Sequence, residues 1–231
     1  ARYPDGNGFA LKAALARKHD VASAQITLGN GSNEVLEFVA RTFVLPEHEV
    51  VFSKHAFAVY PLVTQAIGAK AVVTPAKDWG HDLDAMAAAI TARTRVVFVA
   101  NPNNPTGMAI DGDELRSFCR EISPKVPILI DEAYNELTDR PDYTSMVDLV
   151  RGGSNILITR TFSKIFGMAG LRVGYGMGHP DIVSVVNDNV MAWRNGVGLY
   201  AAYHSYLDED FIAFSREKIL QGREMVNATF R

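Results

Sequence analysis

The sequence is short of cysteine, of net charge and of long apolar runs. Its 231 residues include one cysteine, Cys119, so neither a disulfide framework nor a cysteine-built zinc site is available. That scarcity suits a reducing compartment, and the cytoplasm is the expected setting. Six histidines are present, at spacings that do not suggest a metal site. Lys and Arg number 23 against 26 Asp and Glu, a balance of −3, so no nucleic-acid partner held by bulk positive charge is expected. No apolar run approaches the ~20 residues that span a bilayer, and no membrane partner is expected. The first residues lack the basic-then-apolar order of a secretory leader. Intrinsic disorder is excluded by a hydrophobic content of 48% with 21% charged residues.

What the chain does contain is alternation. Short runs rich in Val and Ile occur at 25–28, 50–52, 71–74, 95–100, 127–130, 156–160 and 172–176. They are uninterrupted rather than alternating, as in strands buried on both faces of a parallel sheet. Helical spacing fills the segments between them, at 9–19, 33–44, 57–67, 83–90 and 112–122. After residue 180 the pattern is mostly helical, at 181–193, at 197–207 and from 210 onward. Ser32 is a candidate N-cap, with Glu34 and Glu37 near the positive helix start. The expected fold is α/β, a three-layer domain around a mainly parallel seven-stranded sheet.

In such sheets ligands sit at the carboxyl ends of the strands. The first of these ends reads Gly29-Asn30-Gly31-Ser32-Asn33-Glu34, either a tight turn or an anion site at a helix start. The run at 95–100 is followed by Asn101-Pro102-Asn103-Asn104-Pro105-Thr106-Gly107, a rigid loop with more asparagine than a turn requires. Asp131-Glu132-Ala133-Tyr134 follows the run at 127–130. An acid there is half desolvated and wants a cationic partner, unless it is a helix cap or a surface acid. Thr161-Phe162-Ser163-Lys164 follows the run at 156–160. Lys164 is flanked by Phe162, Ile165 and Phe166, an odd setting for a solvated charge. Desolvation there would favour the neutral amine that a Schiff base needs.

Taken together, RYPDGNG, QITLGNGSNEVLEFVARTF, NPNNPTG, ILIDEAY and TFSKIFGMAGLRVGY resemble the pyridoxal-phosphate-dependent aminotransferases of fold type I. The nearest resemblance is to the histidinol-phosphate aminotransferases, and it runs in family order through about residue 178. It implies a pyridoxal 5′-phosphate cofactor with Lys164 as the Schiff-base lysine and proton carrier. Asp131 is then the partner of the pyridinium nitrogen. By the same resemblance Asn104 and Tyr134 hydrogen-bond the ring's 3′ oxygen, and Phe57 stacks on the ring. The phosphate falls to Gly31, Ser32, Asn33, Thr161, Ser163 and Arg172, the last suited by its two-pronged guanidinium. Tyr3 is implied to reach the phosphate of the neighbouring subunit in a homodimer.

The resemblance implies ping-pong transfer of an amino group from histidinol phosphate to 2-oxoglutarate, giving glutamate, in histidine biosynthesis. An aromatic amino-acid aminotransferase, an amino-acid-phosphate decarboxylase and a non-enzymatic effector-sensing domain of a transcription regulator are the alternatives. The stretch NDNVMAWRNGVGLYAAYHSYL departs from the family's more usual proline-containing pattern where substrate contacts are expected. The chain begins with Ala1 and stops inside an amphipathic pattern, so a piece of a longer protein is expected. Residues 1–207 are read as the cofactor-binding large domain. Residues 208–231 are read as the start of a helix leading to a C-terminal small domain.

Overall fold

Seven of the strands join into one sheet, and the order in which they join decides where the functional residues meet. The structure is a computed structural model that describes residues 5–190 and 193–230, so Tyr3 lies outside the described residues. The first half of the chain forms α1 (Phe9–His19), β1 (Ile26–Gly29), α2 (Ser32–Phe43), β2 (Glu49–Ser53), α3 (Val59–Ile67) and β3 (Lys70–Thr74). A two-stranded hairpin of β4 (Ala76–Lys77) and β5 (Gly80–His81) follows, then α4 (Leu83–Ala88), β6 (Thr94–Ala100), α5 (Gly112–Ile122) and β7 (Ile128–Asp131). The remainder is α6 (Val147–Arg151), β8 (Ile156–Thr161), β9 (Gly174–Gly178), α7 (Pro180–Asp188), α8 (Gly196–Leu207) and α9 (Glu209–Thr229).

The sheet order is β1-β9-β8-β7-β6-β2-β3. β9 runs antiparallel to both neighbours, and the other pairings are parallel. Successive side chains of a strand face opposite sides, and two apolar layers follow from that period. Val97, Val99, Ile128, Ile130, Ile156 and Ile158 face a layer built by α1, α4, α5, α6 and α8. Val96, Phe98, Leu129 and Leu157 face the other layer, built by α2, α3 and α7. Helices on both faces of a mainly parallel sheet make the three-layer α/β fold expected from the sequence.

The expected strands and helices are all present, with shifted ends. α5 shows why the larger ones were legible. Asp111 caps it by accepting from the N–H groups of Asp113 and Glu114 at 2.9 and 3.0 Å, and Leu115, Phe118, Cys119 and Ile122 repeat at helical spacing into the core. Three details differ. β3 is an edge strand paired only with β2, and it is largely exposed rather than buried on both faces. Ser32 is the first residue of α2 and not its cap; Gly31 holds that place with φ 81°. The helix expected over 181–193 closes at Asp188, where the Asn189 side chain donates back to the Val185 carbonyl at 2.9 Å. The short hairpin and α6 carry too few residues to show a period. No helix among the described residues is long and apolar enough to cross a membrane.

Candidate active site

β1, β6, β7 and β8 all end on the same edge of the sheet, and β9 begins there. Neighbouring strands therefore deliver Gly31–Asn33, Arg172, Lys164, Asp131 and Asn104 to one place. A cleft of ≈ 200 Å³ opens at that edge, lined by Ser32, Asn33, Phe57, Asn104, Asp131, Tyr134, Thr161, Ser163, Lys164 and Arg172, with Ala and Pro residues between them. Ten residues expected at the site from the sequence thus share one cavity. Gly31 adjoins it, and Tyr3 is outside the described residues.

The floor is Asp131, which is 4% exposed. Its Oδ1 accepts from the Thr159 hydroxyl at 3.0 Å and its Oδ2 from the Tyr60 hydroxyl at 3.3 Å. Burial pushes this carboxyl up to about 6, although the hydrogen bonds from Thr159, Tyr60 and the Ala133 backbone pull the other way. Among the described residues no Lys, Arg or His forms an ion pair with it. Tyr60 and Thr159 were missed by sequence reasoning. A signal existed, because Tyr60 lies one helical turn after Phe57 and Thr159 shares a strand face with Thr161. Tyr60 is fully buried and stacked on Phe98, with ring centroids 4.7 Å apart, so its hydroxyl is held in place.

One wall is the asparagine loop, in which each asparagine has its own task. Asn101 Oδ1 accepts from the Ile110 N–H at 2.9 Å. Asn103 Nδ2 donates to the His55 carbonyl at 2.8 Å and to the Thr106 hydroxyl at 2.9 Å. These two anchor the loop, and Asn104 is left to face the cleft, where its Nδ2 lies 3.1 Å from the Tyr134 hydroxyl oxygen. The two residues that the resemblance assigns to one ring oxygen thus lie within hydrogen-bond distance of each other.

The opposite wall is a cradle for an anion. Gly31 adopts a left-handed φ, and a Cβ there would run into the Arg172 guanidinium. A Cβ at Gly174 would run into the backbone of Ser32. Only glycine at both places lets β9 and Arg172 close on the start of α2. Arg172 itself has φ 51°, unusual for a side-chain-bearing residue. Its Nη1 donates to the Ala169 carbonyl at 3.1 Å and the Ser163 hydroxyl at 3.4 Å, and its Nη2 to the Asn30 carbonyl at 3.4 Å. The N–H groups at the head of α2, the helix dipole and this guanidinium point to negative charge. Glu34 holds the turn by accepting from the Asn30 backbone N–H at 2.8 Å.

Lys164 differs from expectation. Phe162, Ile165 and Phe166 turn into the core, and that leaves Lys164 exposed in the cleft instead of desolvated. Its Nζ lies 5.1 Å from the centre of the Tyr134 ring. Chemically, the cleft offers a primary amine, a buried carboxyl, a phenol–amide pair and a guanidinium beside a helix start.

The chain is 49% identical to a histidinol-phosphate aminotransferase of Pseudomonas fluorescens over all 231 of its residues, which are 62% of that protein. It is 50% identical to one of Nitrosospira multiformis over 91% of this chain and 54% of that protein. The chain thus spans roughly three-fifths of the length of the curated relatives it matches. Among solved structures, the histidinol-phosphate aminotransferase of Sinorhizobium meliloti in complex with pyridoxal-5′-phosphate superposes with a TM-score of 0.91 at 28% identity, covering 97% of this chain and 62% of that one. The model of the aminotransferase class I and II family matches residues 1–231, and the chain belongs to that family.

Proposed function

We propose that the cleft binds pyridoxal 5′-phosphate and that the protein is an aminotransferase moving the amino group of histidinol phosphate to 2-oxoglutarate. The observation that carries this reading is Asp131, a sealed carboxyl at the floor of a cleft whose rim holds an amine and an anion cradle. The donor set fits the cofactor, since a buried acid without a cation suits a pyridinium and the Gly31–Arg172 cradle suits a phosphate. Bound there, pyridoxal phosphate would supply a carbonyl carbon for the amino group and a ring that accepts the electron pair left at the substrate Cα. Lys164 Nζ would hold that carbonyl carbon and would carry the proton at the substrate Cα. Asp131 keeps the ring nitrogen protonated. Asn104 and Tyr134 orient the ring through its oxygen, and Phe57 covers one face. Arg172, Ser32, Asn33, Thr161 and Ser163 bind the phosphate, and Gly31 lets Arg172 approach.

The amino donor is supported by identities near 50% to histidinol-phosphate aminotransferases. The reading includes a cytoplasmic homodimer in which Tyr3 serves the partner's phosphate. It also takes residues 1–207 as the cofactor-binding domain and 208–231 as the start of a helix that leaves it. The last point is supported by α9, which has no buried residue although Phe214, Met225 and Val226 lie on it. The test is spectrophotometric titration of the full-length protein with pyridoxal phosphate, then turnover with 2-oxoglutarate and either histidinol phosphate or phenylalanine. Cofactor binding with strong preference for histidinol phosphate is expected. Failure to bind sinks the cofactor reading, and preference for phenylalanine sinks the substrate.

A further inference from the structure

Behind the cleft, on the other face of the sheet, lies a buried ion pair. Asp131 and Glu132 are consecutive, so the pleat sends them to opposite faces. Arg160 and its neighbours Thr159 and Thr161 alternate in the same way on β8. Thus Asp131, Thr159 and Thr161 face the cleft, while Glu132 and Arg160 face the layer of α1, α5 and α8. Arg160 Nη2 and Nε donate to Glu132 Oε2 at 2.8 and 3.1 Å, with the two side chains 8% and 1% exposed. The Glu132 carboxylate also accepts from the Ser145 hydroxyl at 2.8 Å and from the Met146 N–H at 2.9 Å. Donors from Arg160, Ser145 and Met146 thus converge on the Glu132 carboxylate.

A buried ion pair does not as a rule outdo well-packed apolar residues in stability. Its location suggests another role. Asp131 lies opposite Thr159 in the β7–β8 register, and the Glu132 N–H donates to the Thr159 carbonyl at 2.9 Å. The ion pair therefore clasps, from behind, the same two strand ends that carry Asp131 and lead into Lys164. We propose that Glu132 and Arg160 are a positioning pair for Asp131, holding its strand end against β8 and cancelling each other's charge directly behind it. This rests on the cofactor reading only in giving Asp131 a ring nitrogen to serve.

The charge argument depends on what else ionises nearby. On the cleft side Asp131 meets Tyr60 from α3 and shares the cavity with Tyr134, Lys164 and Arg172. Behind the sheet, His19 of α1 is pushed down to about 3 by burial and by Arg160, so it stays neutral. Burial pushes the Cys119 thiol of α5 up to about 12, and it holds Tyr143, Tyr175 and Tyr206 neutral as well. Glu136, 3.5 Å from Arg160, is raised by burial and is the one further acid against the pair among the described residues. Glu132 by itself disfavours the Asp131 carboxylate, and its ion pair with Arg160 sets the opposite charge 2.8 Å from the Glu132 carboxylate.

The experiment is a carbon-13 carboxyl NMR titration of Asp131 in the cofactor-free full chain, repeated as the pH dependence of pyridoxal-phosphate affinity. Glu132→Gln keeps the shape and leaves Arg160 positive, so the Asp131 midpoint should fall by roughly half a pH unit or more. Arg160→Gln removes the positive member of the pair and should raise it. The double variant should return to the midpoint of the unaltered chain. A purely structural pair would move both singles in one direction, through loosening. The proposal is overturned if they do so, or if Glu132→Gln leaves the midpoint unchanged or raises it. Should Arg160→Gln not fold, Glu132→Gln against the double variant decides by the same criterion. If the unaltered chain binds no pyridoxal phosphate, the cofactor reading fails while the NMR titration still decides the pair.

Discussion

Asp131 and Lys164 lie beyond or at the ends of adjacent strands, yet their surroundings are opposite. Asp131 is sealed at the floor, held by two hydroxyls that are themselves buried. Lys164 stands exposed at the rim, above a turn pinned by Phe162, Ile165 and Phe166. Arg172 is exposed as well, while Gly31 and Gly174 beside it are closed in by neighbours. On the proposed reading this is a division of labour: the group that pairs with a charge is held and dry, and the groups that meet incoming molecules are open. Backbone anchors, rather than burial of the side chain, position the open ones.

Three substitutions probe that division, starting with the largest effect. Lys164→Ala should abolish transamination and the absorbance of lysine-bound cofactor, while thermal unfolding of the cofactor-free protein stays within about 0.5 kcal/mol of the original. A large loss of stability would mean that Lys164 belongs with the floor. Asp131→Asn should lower kcat by roughly 10²-fold, the scale of one lost electrostatic contribution. It should also change stability against pH. A carboxyl raised from 3.8 to about 6 binds its proton more readily folded than unfolded, so the cofactor-free protein is stabilised as pH falls through 6 toward 4 and loses that as pH rises. The span corresponds to on the order of 3 kcal/mol, and Asp131→Asn should flatten it in melting curves taken from pH 4 to 7. An unchanged curve would show Asp131 to be hydrated. Arg172→Ala has the smallest expected effect: cofactor affinity about 10-fold weaker, little change in kcat at saturating cofactor, and near-original stability. Equal kcat and affinity losses would assign it to the chemistry.

Much of this was legible in the sequence because its causes are local. A Val-Ile run favours an extended strand wherever it lies, and β6, β7 and β8 are found where such runs stand. α5 carries its own cap and its own apolar stripe. The ten cleft residues were legible through their motifs, and the strand-end rule said where to look. Other features were not local. The partners of Asp131 are 71 and 28 residues away, at Tyr60 and Thr159, and only the order β1-β9-β8-β7-β6-β2-β3 brings them together. β3 looks like a buried strand until the sheet ends at it. Lys164, among aromatics in sequence, is exposed because the turn sends those aromatics inward and the lysine out.

Hydrophobic period, caps and glycine positions thus determined, from the sequence by itself, which segments are strands and helices and which residue types wait at their ends. Tertiary structure alone decided which ends are neighbours, which acid is sealed and which cation stays open. The reason is that burial and electrostatic environment are properties of everything packed around a group, and strand order assembles those surroundings from distant parts of the chain.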